Sequence, residues 1–148
     1  MALPRLTESG DLPPGIHRAT LREILERFGT ATTRRKVIAL RLERIYQLAS
    51  ATGHLAQCVV FGSFVTGQDE PNDVDVFLLM ADTFDVGQLV GEARLLFDHA
   101  AAQAHFGGSV FWLRRLAALG GEQETIEYWH IKRDGRRRGI VEIIPEAP

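Results

Sequence analysis

The 148-residue chain sets 17 Lys and Arg against 19 Asp and Glu, a formal net charge of −2, with 45% hydrophobic and 24% charged residues. That length suits one domain able to bury a core without disulfides or structural metal. The charge balance excludes a chain built to coat nucleic acid or an anionic membrane, so any attraction for phosphate is local.

The lone cysteine, Cys58, cannot close an internal disulfide and reads as a small buried hydrophobe. No apolar run approaches the ~20 residues of a membrane helix. The first residues lack the apolar core of a signal peptide, so the expected location is cytoplasmic.

In chain order, residues 1–17 read as an irregular segment, broken by Pro4, Gly10, Pro13, Pro14 and Gly15, and 18–148 as a single domain. Leu21, Ile24, Leu25 and Phe28 predict a helix over 20–28, with Gly29 as its stop. Thr32 or Thr33 caps a longer helix to about Thr52. Its expected apolar stripe is Val37, Leu40, Ile45 and Leu48, and Arg34, Arg35, Lys36, Arg41 and Arg44 form its solvated face. Residues 57–61 form an apolar strand, 63–72 a polar loop, and 73–80 a strand running into the core. A helix is expected from Asp85 to about His105, carrying Val86, Leu89, Val90, Ala93, Leu96 and Phe97 on one side, and a strand over 109–113. Residues 116–124 give no clear pattern. Strands over 126–132 and 139–144 flank an Asp134-Gly135 turn. This order predicts an α/β fold: a mixed, twisted sheet flanked by helices, with an N-terminal helical pair.

The chemistry concentrates in Phe61-Gly62-Ser63, followed after nine residues by Asp73-Val74-Asp75-Val76. Carboxylates at i and i+2 of a strand share one face and repel each other, which folding alone gives little reason to arrange. A hard divalent cation removes the repulsion, and Mg²⁺ prefers one or two carboxylates together with phosphate oxygens. Gly62 lets backbone approach a phosphate closely; Ser63 offers a hydroxyl and an N–H.

This ordered pattern resembles the signature of the DNA polymerase β-like nucleotidyltransferase superfamily: a hydrophobic residue, Gly, Gly or Ser, a gap, then Asp-hydrophobic-Asp/Glu-hydrophobic. Thr66-Gly67 and Asn72 also stand where small bacterial members carry Arg-Gly and Ser or Asn. The motif spans about sixteen residues, and the flanking strand–helix–strand order extends the likeness over roughly 55–115. The resemblance implies a nucleotidyltransferase-like fold. It further implies that Gly62, Ser63, Thr66 and Gly67 contact a nucleoside triphosphate, and that Asp73 and Asp75 hold Mg²⁺ or Mn²⁺ as metal and catalytic ligands. Its activity would be transfer of a nucleoside monophosphate to a protein or RNA acceptor, within a toxin–antitoxin or defence pair. Active members carry a third carboxylate on the next core strand. Residues 109–113 contain none, which leaves Glu142 as the best substitute if its strand lies beside the pair, and otherwise an exposed edge-strand glutamate, with Asp98 and Glu127 behind it. The alternative is a catalytically degenerate fold that binds a nucleotide or a partner.

Other features carry less. Lys132, Arg133, Arg136, Arg137 and Arg138 make a basic cluster that suits either a triphosphate tail or RNA backbone, or a solvated hairpin tip. No stacking platform accompanies it, so sequence-specific RNA or DNA reading is not expected. Trp112 reads as core, whereas Tyr128 and Trp129 suit either packing or a base. The five histidines lack metal-ligand spacing, and no P-loop motif occurs.

Overall fold

A computed structural model describes residues 3–117 and 138–146. The elements are β1 (Ile16–Thr20), α1 (Leu21–Phe28), α2 (Thr33–Ala51), β2 (Leu55–Phe61), β3 (Val74–Met80), α3 (Glu92–Leu96), α4 (His99–Phe106), β4 (Gly108–Arg114) and β5 (Ile140–Ile144). The fold class is α/β, with five described strands in the order β1-β5-β2-β3-β4. β1 and β5 are parallel, β5 and β2 antiparallel, β2 and β3 antiparallel, and β3 and β4 parallel, so the sheet is mixed.

Alternation along the strands gives the sheet two apolar faces. On one, Val60, Val74, Val76, Leu78 and Val141 pack with Ile24, Ile38, Leu42, Ile45 and Leu96 from the helices. On the other, Val59, Phe77, Leu79 and Ile140 cluster with Phe61 and Phe111. Thr20 starts α1 with a capping box: Glu23 N–H donates to its hydroxyl, and its own N–H donates to Glu23 Oε1. Thr32 caps α2 by accepting from Arg35 N–H.

Three expectations change. Ile16–Thr20 is a strand, paired residue by residue with Ile140–Ile144 far along the chain. In place of one helix from Asp85 to His105 there are a 3-10 turn over Val86–Gln88 and the two short helices α3 and α4. Gly91, at φ 64°, and Asp98, which caps α4, provide the breaks. The inward stripe of α2 is Arg35, Ile38, Ala39, Leu42, Ile45 and Ala49. Val37 and Leu40 are instead 41% and 67% exposed, and Arg35 is 4% exposed. Of the expected stripe Ile45 is buried and Leu48 packs against the core, so periodicity found part of the inward face and misplaced Val37 and Leu40. The expected strand over 126–132, with Glu127, Tyr128, Trp129 and the cations at 132–137, lies outside the described residues. No helix among the described residues is long and apolar enough to cross a membrane.

Candidate functional site

β2 delivers the chain to Phe61, opposite Asp75 in the β2–β3 register, and the backbone then turns at Gly62 (φ 80°, ψ −165°) into a 3-10 turn over Ser63–Val65. That φ/ψ region is essentially restricted to glycine. A β-carbon at Gly62 would lie 1.9 Å from Asp75 Oδ2, so the Asp75 carboxylate rests against the bare glycine backbone. The two halves of the motif therefore meet in space.

Asp73 lies just before β3, and Asp75 is its second residue; Val74 between them is fully buried towards the helices. Strand alternation directs both carboxylates to the opposite face, with α-carbons about 6.5 Å apart. β4 adds a partner. Ser109 is the register neighbour of Asp75, and its hydroxyl donates to Asp73 Oδ2 at 3.0 Å.

Past Ser63 the loop is held from within. Thr66 N–H and its hydroxyl both donate to Ser63 O, at 3.2 and 2.7 Å. Gly67 N–H donates to Gly10 O at 2.8 Å, and Gln68 N–H to the Thr66 hydroxyl. The amides of Thr66 and Gly67 are thus turned to protein acceptors, whereas the Ser63 and Phe64 amides that open the turn donate to none of these. Thr66 and Gly67 also line a polar cleft of ≈ 370 Å³ together with Ser9, Asp11, Gln68 and Arg138. There Arg138 Nη1 stands 3.9 Å from Asp11 Oδ1.

Glu142 is not brought to the pair. It faces Arg18 in the register with β1 and Val59 in that with β2. Arg18 Nε lies 3.3 Å from its Oε1, and Gln57 Nε2 donates to its Oε2 at 3.3 Å. Two strand spacings and a two-residue offset put its α-carbon about 12 Å from that of Asp75. Asp98 is engaged as the cap of α4. Among the described residues no three His, Cys, Asp or Glu side chains converge as a metal cluster.

Two contributors were not anticipated. Ser109 gave one signal, a polar residue at the entry of an otherwise apolar strand; Arg35 gave none. The site thus combines two aligned carboxylates, a serine hydroxyl fixing one of them, and a glycine turn against which the second carboxylate rests. All are hard oxygen or N–H groups, suited to a divalent cation and a phosphate.

The chain belongs to a family of unknown function (DUF6932), whose model matches residues 4–144. No curated protein and no solved structure matches it.

Proposed function

We propose that this member of the family is a nucleotidyltransferase-like domain. On this reading it binds a nucleoside triphosphate with Mg²⁺ or Mn²⁺; a hydroxyl of a protein or RNA acceptor attacks the α-phosphate, the α–β phosphoanhydride bond breaks, and pyrophosphate leaves with the nucleoside monophosphate now on the acceptor. The observation that carries the reading is the contact of Asp75 with Gly62, which joins the carboxylate pair to the Gly-Ser turn. The donor set fits the metal: Asp73 and Asp75 would hold it, leaving other positions to phosphate oxygens and water. Bound there, it would neutralise the pair and stabilise charge on the transferring phosphoryl group.

The chain's own residues do the positioning. Gly62 lets the Asp75 carboxylate lie against the turn, and Ser63 beside it would offer its hydroxyl and N–H to a phosphate. Ser109 fixes the Asp73 carboxylate, while Thr66 and Gly67 brace the turn from behind. A cytoplasmic protein partner, as in a toxin–antitoxin or defence pair, belongs to the same proposal.

One observation favours a second reading, binding without transfer. Among the described residues Ser109, and no acid, is the β4 register neighbour of Asp75, while Glu142 is engaged by Arg18 and Gln57. The two readings separate in one experiment: transfer of α-phosphate label from the four nucleoside triphosphates to host lysate or RNA, with Mg²⁺ or Mn²⁺ and Asp75→Asn as control. Label on a macromolecule, lost in the variant, supports transfer. Binding of nucleotide without label supports the second reading, and neither binding nor label rejects both.

A further inference from the structure

Arg35 opens α2 but points inward, and all five of its guanidinium N–H donors are engaged. Nη1 donates to Phe28 O at 3.0 Å and Phe64 O at 2.8 Å, Nη2 to Thr66 O at 2.8 Å and to Gln68 O, and Nε to Gln68 O at 3.1 Å. The guanidinium also lies over the Phe64 ring, 5.6 Å from its centroid. Every acceptor in this set is a backbone carbonyl. Burial pulls the guanidinium pKa down, while nearby Asp69 and Glu70 act in the opposite direction.

Burying a cation on carbonyls alone is an expensive way to pack a helix, since an apolar side chain fills the same space without desolvating a charge. A planar fork of five donors does something no apolar residue can: it fixes three alternate carbonyls of one loop at once. Those carbonyls belong to Phe64, Thr66 and Gln68, the direct continuation of the Ser63 turn. Two outer ties extend the hold, from the Thr32 hydroxyl to Asp69 O and from Arg34 Nε to Glu70 Oε2.

We infer that Arg35 is the positioning residue of the triphosphate subsite: from behind the loop it sets the path of residues 63–68, and so the direction in which Ser63 presents its N–H and hydroxyl. The inference rests on the nucleotide reading above. It divides the site into a phosphate half governed by α2 and a metal half, Asp73 and Asp75 at the entry of β3, that Arg35 does not touch.

That division supplies the test, made on the full chain with Arg35→Gln and Arg35→Lys. Three quantities are read: Mn²⁺ affinity, affinity for inorganic tripolyphosphate in Mg²⁺, and amide hydrogen exchange along the chain. Losing buried bonds to a charged group should weaken tripolyphosphate about tenfold or more in both variants, because lysine keeps the charge but not the fork. Mn²⁺ affinity should stay within about twofold, because the carboxylate pair keeps its own partners. Faster exchange should be confined to residues 63–70.

Unchanged tripolyphosphate affinity, or full recovery in Arg35→Lys, would overturn the inference. So would parallel loss of Mn²⁺ binding with loosening of β3, which would make Arg35 a general structural residue. Should the glutamine variant fail to fold, the lysine variant carries the same comparison; failure of both to fold would likewise assign Arg35 to stability alone. Wild-type protein that binds neither Mn²⁺ nor tripolyphosphate would remove the nucleotide reading, a result seen before any variant is made.

Discussion

Ser109 links to both acidic positions in different ways: its hydroxyl donates to Asp73 Oδ2 at 3.0 Å, and its backbone is the β3–β4 register neighbour of Asp75. Replacing it by alanine leaves Asp73 without this bond. Mn²⁺ affinity should fall several-fold, corresponding to about 1 kcal/mol, with little change in the thermal midpoint of the metal-free protein. Replacing it by aspartate has the opposite sense. A third carboxylate beside the pair should lower the midpoint without metal through like-charge repulsion, and raise cation affinity by about tenfold or more. Thermal melts with and without Mn²⁺ read both effects.

Asp73→Asn and Asp75→Asn should each abolish metal-dependent nucleotide binding while leaving far-ultraviolet circular dichroism and the urea midpoint close to wild type. Amides keep the shape but lose the charge that attracts the cation. Unfolding of both variants would mean that the pair serves the fold and not a ligand.

Gly62→Ala meets two obstacles, a backbone region closed to alanine and the Asp75 carboxylate 1.9 Å from the new β-carbon. The backbone penalty alone is about 1–3 kcal/mol. Asp75 must also move, so nucleotide binding should be lost even where the protein remains folded. Urea unfolding paired with a binding titration checks this, and a variant with wild-type affinity would break the link between the turn and the carboxylate.

Cys58, 1% exposed, has its thiol pKa pushed up to about 12 by burial and, secondarily, by Glu142. In the unfolded chain the thiol ionises near its ordinary value of 9.0. A folded-state pKa raised above the unfolded one contributes stability that is complete below about pH 9 and lost as pH rises towards about 12, because only the unfolded chain then releases the proton. Cys58→Ala should lower stability at neutral pH through the lost packing, yet show a shallower decline than wild type between pH 9 and 11. Parallel declines in the two proteins would remove the thiol as a cause.

The legible parts of this protein were local ones. Gly62-Ser63 and Asp73-Val74-Asp75 declare their turn and shared face within a few residues, and the β2–β3 hairpin brings them together with little further information. What escaped was non-local. Ile16–Thr20 does not alternate cleanly and becomes a strand because Ile140–Ile144 lies beside it. Glu142 looked available as a third acid, since nothing in its neighbours reveals two strand spacings to Asp75 or the presence of Arg18. Arg35 sits among Arg34, Lys36 and Arg41 and differs from them only in facing a loop some thirty residues away, whose carbonyls are invisible to any reading of side-chain pattern. The single helix expected over 85–105 failed at Gly91 and Asp98, two stop-and-start residues outweighed by the apolar positions around them.

The strand order also has a bearing on synthesis. β5, the last described strand in sequence, lies between β1 and β2, and among the described strands it alone pairs with β1. As the chain leaves the ribosome, β2, β3 and β4 can assemble the Gly62 and Asp75 contact while the first strand still waits for its neighbour. Until residues 140–144 emerge, β2 presents an open edge to any other extended chain. A transcript broken shortly before that point would encode a product able to form the Gly62–Asp75 contact but left with β2 as an unpaired edge.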